Sequence, residues 1–450
     1  MKGNPVSFKL YIQLLFVHIG LALGAYLFPS ISKFLLLGVV GIFFFWVLAS
    51  ANRKDQALLG AAYITGFEVF SRMTGGTLTY EFAKYAVILF LGIGMFYRGF
   101  TRKSWAYLFY LLCLTPGILF SAINLDYATN VANAIGFNLS GPVCLGISAL
   151  YCYNRKMPLA RLQGILLALL LPIFSTAVYL YFYTPDIKEV VTGTYSNYAT
   201  SGGFGPNQVA TILGLGVFLL FSRLLVIRNR SVNIVDLVLL SFIGYRTLVT
   251  FSRGGTITAV VCITLFIAIY FIRSSSLEKA KLLPKGLMLF AVLAFTWLIT
   301  SLNTSGLIDK RYANQDAAGR VKEDVTTGRT ELITTELQAF YENPILGIGV
   351  GKVKEYREEV LGELSATHNE VTRLLSEHGS FGLIALLVLI VTPLIFRIKD
   401  KSNLYLYSCV AFWFLTINHS SMRIAAPAFV YGLSLISIVN AKKKSVIHRK

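Results

Sequence analysis

Two stretches of this chain combine side chains that can do chemistry. The first is SATHNEVTRLLSEHGS, residues 365–380, which holds His368 and His378 among amides, carboxylates and an arginine, just before an apolar run. Thr367 followed three residues later by Glu370 is the capping-box pattern. It predicts Thr367 as the cap and His368 as the first helical residue. The partial positive charge of a helix N-terminus disfavours a second positive charge on that imidazole. A histidine kept neutral near pH 7 can accept a proton, as a general base must. Arg373, three residues after Glu370 and four before Glu377, is predicted to stiffen the turn by ion pairing. The plainer alternative is a polar helix start with an incidental histidine, and His378 reads as interfacial.

The second stretch is Ser252-Arg253-Gly254-Gly255, which puts a guanidinium at a membrane face. Ionisable residues at membrane depth are costly and point to function, although a lone arginine there can simply snorkel to the interface. Arg246, earlier in the same short span, adds to a buried cationic pocket. Arg329, in Thr327-Gly328-Arg329, opens an amphipathic helix and is expected to face the same side. Arginine suits phosphate because its planar fork binds two oxygens at once. Gly347-Ile348-Gly349-Val350-Gly351-Lys352 is only superficially a phosphate loop: residue 346 is leucine, and no Ser or Thr follows the lysine. It reads as a turn. No HExxH or His/Cys cluster suggests zinc.

The elements that must position these residues are membrane-spanning. The chain has 450 residues, 55% hydrophobic and 14% charged, against about 25% charged in soluble proteins. Its long unalternating apolar runs predict helices near 8–28, 31–50, 57–71, 82–97, 105–123, 133–153, 162–183, 208–226, 234–250, 255–272, 285–303, 380–396, 403–417 and 425–440. Twelve or thirteen spans would also fit, because 57–71 and 234–250 are short. With an even number, both termini lie on one side, and the loops and ends there hold 25 of the 41 Lys and Arg. By the positive-inside rule that side is cytoplasmic. The net charge of +19 is then an orientation signal, and nucleic acid is not implied. Five cysteines, all within predicted spans, read as packing residues.

One external region stands apart. Residues 304–377 contain no span and carry nine Lys/Arg against thirteen Asp/Glu, net acidic in a basic chain. In TELITTELQAFYENP, Leu332, Ile333, Leu337, Phe340 and Tyr341 recur at helical spacing, and Asn343-Pro344 ends the helix. The expected organisation is an N-terminal transmembrane bundle over 1–303, a large external catalytic loop over 304–378, and C-terminal transmembrane helices with a basic tail over 379–450.

The order Gly328-Arg329, amphipathic helix, Asn343-Pro344-Ile345-Leu346-Gly347-Ile348-Gly349, then His368-Asn369 and Glu377-His378-Gly379 resembles the O-antigen ligase and O-antigen polymerase superfamily. SRGG at 252–255 and GPNQVA at 205–210 fit its more N-terminal part, while the first 180 residues match only in hydropathy. The resemblance implies an all-α polytopic membrane protein of about 12–14 transmembrane helices, GT-C-like, with one large periplasmic loop in the bacterial inner membrane. It further implies a glycosyltransferase that takes glycan from undecaprenyl diphosphate to an acceptor hydroxyl, with neither nucleotide sugar nor metal. The acceptor would be lipid A-core for a ligase, a second lipid-linked repeat for a polymerase, or a protein Ser/Thr for an oligosaccharyltransferase. His368, Arg253 and Arg329 become the candidate catalytic residues, with Arg253 and Arg329 on the diphosphate and Asn369 supporting the histidine. Asn207, Arg246 and Arg373 are candidate substrate contacts, and Arg320, in the chain's other Gly-Arg pair, is the alternative to Arg329. A polysaccharide transporter is the competing class. It would be expected to line a path with intramembrane charges, of which the spans hold few: Glu68, Lys84, Asp236 and Arg246.

Overall fold

The computed structural model describes residues 6–322, 329–362 and 367–439. Gly328, the Ser365-Ala366 pair and the basic tail from 440 onward therefore lie outside the described residues. Helices α1 (Phe8–Leu27), α2 (Ile31–Ser50), α3 (Gln56–Met73) and α4 (Phe82–Arg98) open the chain. α5 (Trp105–Cys113) and α6 (Thr115–Asn124) form one interrupted span, followed by α7 (Val131–Cys152) and α8 (Leu159–Tyr183). A four-residue turn, α9 (Ile187–Val190), precedes α10 (Pro206–Val226), α11 (Arg230–Leu248), α12 (Arg253–Arg273) and α13 (Ser276–Asn303). The large loop contributes α14 (Leu307–Tyr312), α15 (Arg329–Glu342) and α16 (Lys352–Leu361). α17 (Glu370–Lys399), α18 (Leu406–His419) and α19 (Ala425–Ser434) return to the bundle. Two short parallel strands, β1 (Lys156–Met157) and β2 (Ser437–Ile438), tie the ends of α7 and α19 together.

Helix occupies each of the fourteen segments expected to span. Ten are long and apolar enough to cross a membrane, and α3, α4, α18 and α19 are shorter or less apolar. The protein is an all-α polytopic membrane protein. α8 and α10 form its centre, with α10 buried on all sides. Outer helices such as α2 and α13 instead turn Phe34, Phe45, Phe290 and Phe295 outward, which lipid accepts because its tails are as apolar as the side chains. The glycines of the SRGG corner permit contact rather than bending. A Cβ on Gly255 would run into the Ala210 carbonyl of α10, and one on Gly254 would run into the His419 ring.

Most intramembrane charges are bound up in packing. Asp236 accepts from Tyr11 Oη at 2.6 Å and pairs with Arg223 at 3.0 Å, all three buried. Glu68 pairs with Arg72 and accepts the Ala425 amide. Arg246 donates to the Thr184 carbonyl at 3.3 Å and lies against the Tyr181 and Tyr245 rings. These pairings knit helices together as buried charges must be, and they do not form a continuous path.

Candidate active site

The stretch 365–380 is built on a break. α17 is interrupted at Gly379, whose φ of 58° and ψ of −134° are not helical. Only glycine takes this conformation without strain, and a Cβ there would stand 2.6 Å from the Ile345 carbonyl. The glycine-rich turn after α15 docks into the break. Ser380 N donates to the Pro344 carbonyl at 2.8 Å, Ile348 N to the Ser376 carbonyl at 2.8 Å, and Gly351 N to the Glu377 carboxylate at 2.8 Å. Gly347, Gly349 and Gly351 all have positive φ. The Gly349 and Gly351 amides are used against Glu377 of α17 and that of Gly347 closes on Asn343, so the turn is a clamp and not a phosphate loop.

The capping box does not form. The cap of α17 is Asn369, whose side chain accepts from Val371 N at 2.8 Å and Thr372 N at 3.3 Å. Asn369 Nδ2 reaches Asn418 at 3.2 Å, so this residue positions the helix start rather than the histidine ring. The reason is Glu336. It is buried in α15 and accepts from the hydroxyls of Thr367 and Thr372 while pairing with Arg357. That draws the Thr367 side chain off the helix end, and Glu370 turns to Arg373 and the Met422 amide. His368 thus lies ahead of the helix, not within it.

Glu336 also sets which side of α15 is buried. The apolar side, Leu332 to Tyr341, is partly buried, and Tyr341 is 74% exposed. Thr335, Glu336 and Ala339 face inward instead, because a carboxylate with three partners outweighs the burial of a few apolar side chains.

Around Arg329 and its neighbour His368 the fold gathers cations from four separate elements. Arg253 begins α12, Arg311 lies in α14, Arg329 begins α15, and Arg423 lies in the turn between α18 and α19. Burial holds the His368 imidazole down to about 4, reinforced by the guanidiniums of Arg423, Arg329 and Arg357. Burial and then Arg253 and Arg423 lower Arg329, and burial with Arg253 and Arg329 nearby brings Arg311 to about 10. His419 is within electrostatic reach of His368 and Arg329. Among the described residues Arg311, Arg329 and Arg423 have no carboxylate partner, and His368 makes no hydrogen bond. A crowd of guanidiniums beside a neutral imidazole is an anion site next to a proton acceptor.

Backbone contacts fix this geometry. Arg311 Nε donates at 2.9 Å to the carbonyl of Phe251, which adopts the left-handed region at φ 56°. Arg253 reaches Asn314 at 3.4 Å, and Arg423 donates to the Thr367 carbonyl at 2.7 Å. Ser252 donates to Asn207 at 2.7 Å, which ties the α10 start to the arginine corner.

Of the residues picked out by sequence, Arg329 lies within electrostatic reach of both His368 and Arg253, Asn369 caps α17 next to His368, and Asn207 bonds Ser252 beside Arg253. The others do not join. Arg320 pairs with Asp316 on the surface at 2.7 Å, its side chain 83% exposed. Arg373 is buried between Glu370, Glu377 and Asn138, and Arg246 is held by Thr184 and two tyrosines. His378 is buried rather than interfacial and packs against Gly117. Arg311, Arg423 and His419 were not anticipated. The available signal for Arg423 was an arginine on an outward loop of a chain whose basic residues collect on the opposite side.

Residues 237–387, about a third of the chain, match the family model described as O-antigen ligase, which supports the superfamily resemblance. That span contains Arg253, Arg311, Arg329 and His368, but not Asn207, His419 or Arg423. No curated protein and no solved structure matches the chain.

Proposed function

We propose that this chain, which carries an O-antigen ligase domain at residues 237–387, transfers a glycan from undecaprenyl diphosphate to an acceptor hydroxyl at the periplasmic face of a bacterial inner membrane. In this reading the four arginines seat the diphosphate. His368 takes the proton of the acceptor hydroxyl as its oxygen attacks the anomeric carbon. The sugar–phosphate C–O bond breaks, and the lipid diphosphate leaves with the electron pair among fixed guanidiniums. Preorganised charge at the position where charge develops is commonly the largest catalytic contribution. Because those cations are built in, the reaction is proposed to need no metal, and activity should survive chelation. The observation that carries the reading is Arg329, which lies within electrostatic reach of the neutral His368 and Arg423 and also of Arg253 and Arg311.

The test is to incubate the purified protein in detergent with lipid-linked glycan and acceptor, with and without EDTA. Covalent product is expected in both. Arg253→Ala or Arg329→Ala should lower the rate about a hundredfold to a thousandfold while the protein still inserts. Near wild-type transfer by both variants would remove the cluster from the mechanism. The acceptor is proposed to be lipid A-core. A deletion strain should then accumulate long unattached chains on the carrier, whereas single repeats attached to the surface would identify a polymerase.

A further inference from the structure

A cavity of about 540 Å³ borders Thr367. Its walls are the 126–130 connection, the start of α7, α16 and the first turns of α17, and Asn130, Asn133, Phe137, Glu358, Thr367 and Arg373 are among its lining. Phe137, Asn138, Thr367 and Arg373 also line a smaller chamber behind it, which reaches Tyr80, Lys84 and Arg423. The two share these four residues; Thr367, which precedes His368, borders both, and Glu370, paired with Arg373, also lines the inner one.

Lys84 is the unexpected feature of the inner chamber. It lies near the start of α4, is 1% exposed, and among the described residues makes no hydrogen bond or ion pair. Its ammonium stands 5.7 Å from the Tyr80 ring centroid. Every other intramembrane charge named above is engaged in packing. This buried ammonium has a ring face and the carboxylates of Glu68 and Glu81 within electrostatic reach but no hydrogen-bonded partner among the described residues, so an anion in the chamber would stabilise it. The inner chamber is only about 20 Å³, room for one water-sized group and not for a sugar ring. The outer cavity is large enough for sugar rings and is bordered by Asn133, Asn138 and Phe137 together with the carboxylates Asp126, Glu355, Glu358 and Glu377 and the cations Lys354, Arg357 and Arg373, a combination suited to hydroxyls and a C–H surface.

We infer that the cavity between α7, α16 and α17 is the acceptor subsite, and that it takes a glycan bearing an anionic substituent whose charged oxygen enters the inner chamber and binds Lys84. The subsite presents the acceptor beside Thr367, the residue that precedes His368. This assignment of roles rests on the reading of His368 and its arginines as the transfer centre, whereas the binding itself does not. Lys84, Phe137, Asn138 and Arg423 all lie outside the residues matched by the family model, so the specificity belongs to this chain's own architecture.

The test uses the full-length protein in nanodiscs and two probes: a tetrasaccharide of alternating glucuronate and N-acetylglucosamine, and the same tetrasaccharide with its carboxylates reduced to hydroxyls. Titration calorimetry should give roughly tenfold tighter binding of the acidic probe, the worth of one charge-assisted hydrogen bond. Lys84→Met should abolish that preference and leave binding of the reduced probe unchanged. Asn133→Ala, at the exposed mouth, should weaken both probes severalfold without touching the buried lysine. Arg329→Ala should lose transfer yet keep the preference. Binding of neither probe, equal binding of both, a preference that persists in Lys84→Met, or no effect of Asn133→Ala would each overturn the subsite. A Lys84-dependent preference in a protein that makes no product would leave the subsite standing and sink the transferase reading. Transfer without the preference would do the reverse.

Discussion

His368 reaches neutrality by a different route from the one its sequence context suggests. A position at a helix start would have lowered its proton affinity through the backbone dipole, by a modest amount. The structure supplies burial and several guanidiniums, and holds the group at about 4. A base must be unprotonated to act, so kcat/KM for transfer should stay level from pH 8 down past the ordinary histidine range and fall only near pH 4. A bound diphosphate brings negative charge beside the ring and favours the imidazolium. The acid limb of kcat, which reports the loaded enzyme, should therefore lie at higher pH than that of kcat/KM. Arg329→Ala removes one neighbouring positive charge and should move the kcat/KM limb upward. Initial rates across pH 4–8 check all three, and a kcat/KM limb near 6.5 in the wild type would contradict the geometry.

The elements of the large loop are held by two devices, one polar and one steric. Glu336 gathers Arg357, Thr367 and Thr372 between α15, α16 and α17. Glu336→Ala removes the carboxylate from a pair that is 0% and 1% exposed. Breaking a buried pair from one side costs about 3–5 kcal/mol, and thermal unfolding in detergent should show a lowered midpoint. Gly379 is the steric device. Gly379→Ala meets both a positive φ and the Ile345 carbonyl, so it should cost at least ~1–3 kcal/mol and detach the 343–351 turn from α17. Faster proteolysis of that turn would report it. The Asn-Pro-x-Leu-Gly-x-Gly and Glu-His-Gly motifs, which carry the superfamily resemblance in the sequence, are the two halves of one clamp.

At the scale of the whole molecule, the fourteen-helix arrangement carries an orientation that labelling can check. The five cysteines are buried, so background reaction should be low. Asn133→Cys, on the exposed start of α7, should react with a membrane-impermeant maleimide added outside spheroplasts. Lys54→Cys, on the exposed turn between α2 and α3, should react only after lysis. The opposite pattern would invert the topology. Hydropathy alone determined the helical class and where the apolar helices lie, because lipid leaves a backbone few choices and long apolar runs announce themselves locally. The sequence likewise marked His368, Arg253 and Arg329, whose neighbouring residues set them apart. It did not yield Arg311 and Arg423, the inward turn of Glu336, or Lys84 in the wall of a small chamber. A side chain's partner depends on which distant element packs against it, and contacts between α4 and α7, or between α15 and α17, leave no periodic trace along either segment. Only the tertiary structure could decide which arginines were already paired and which remained available to an anion.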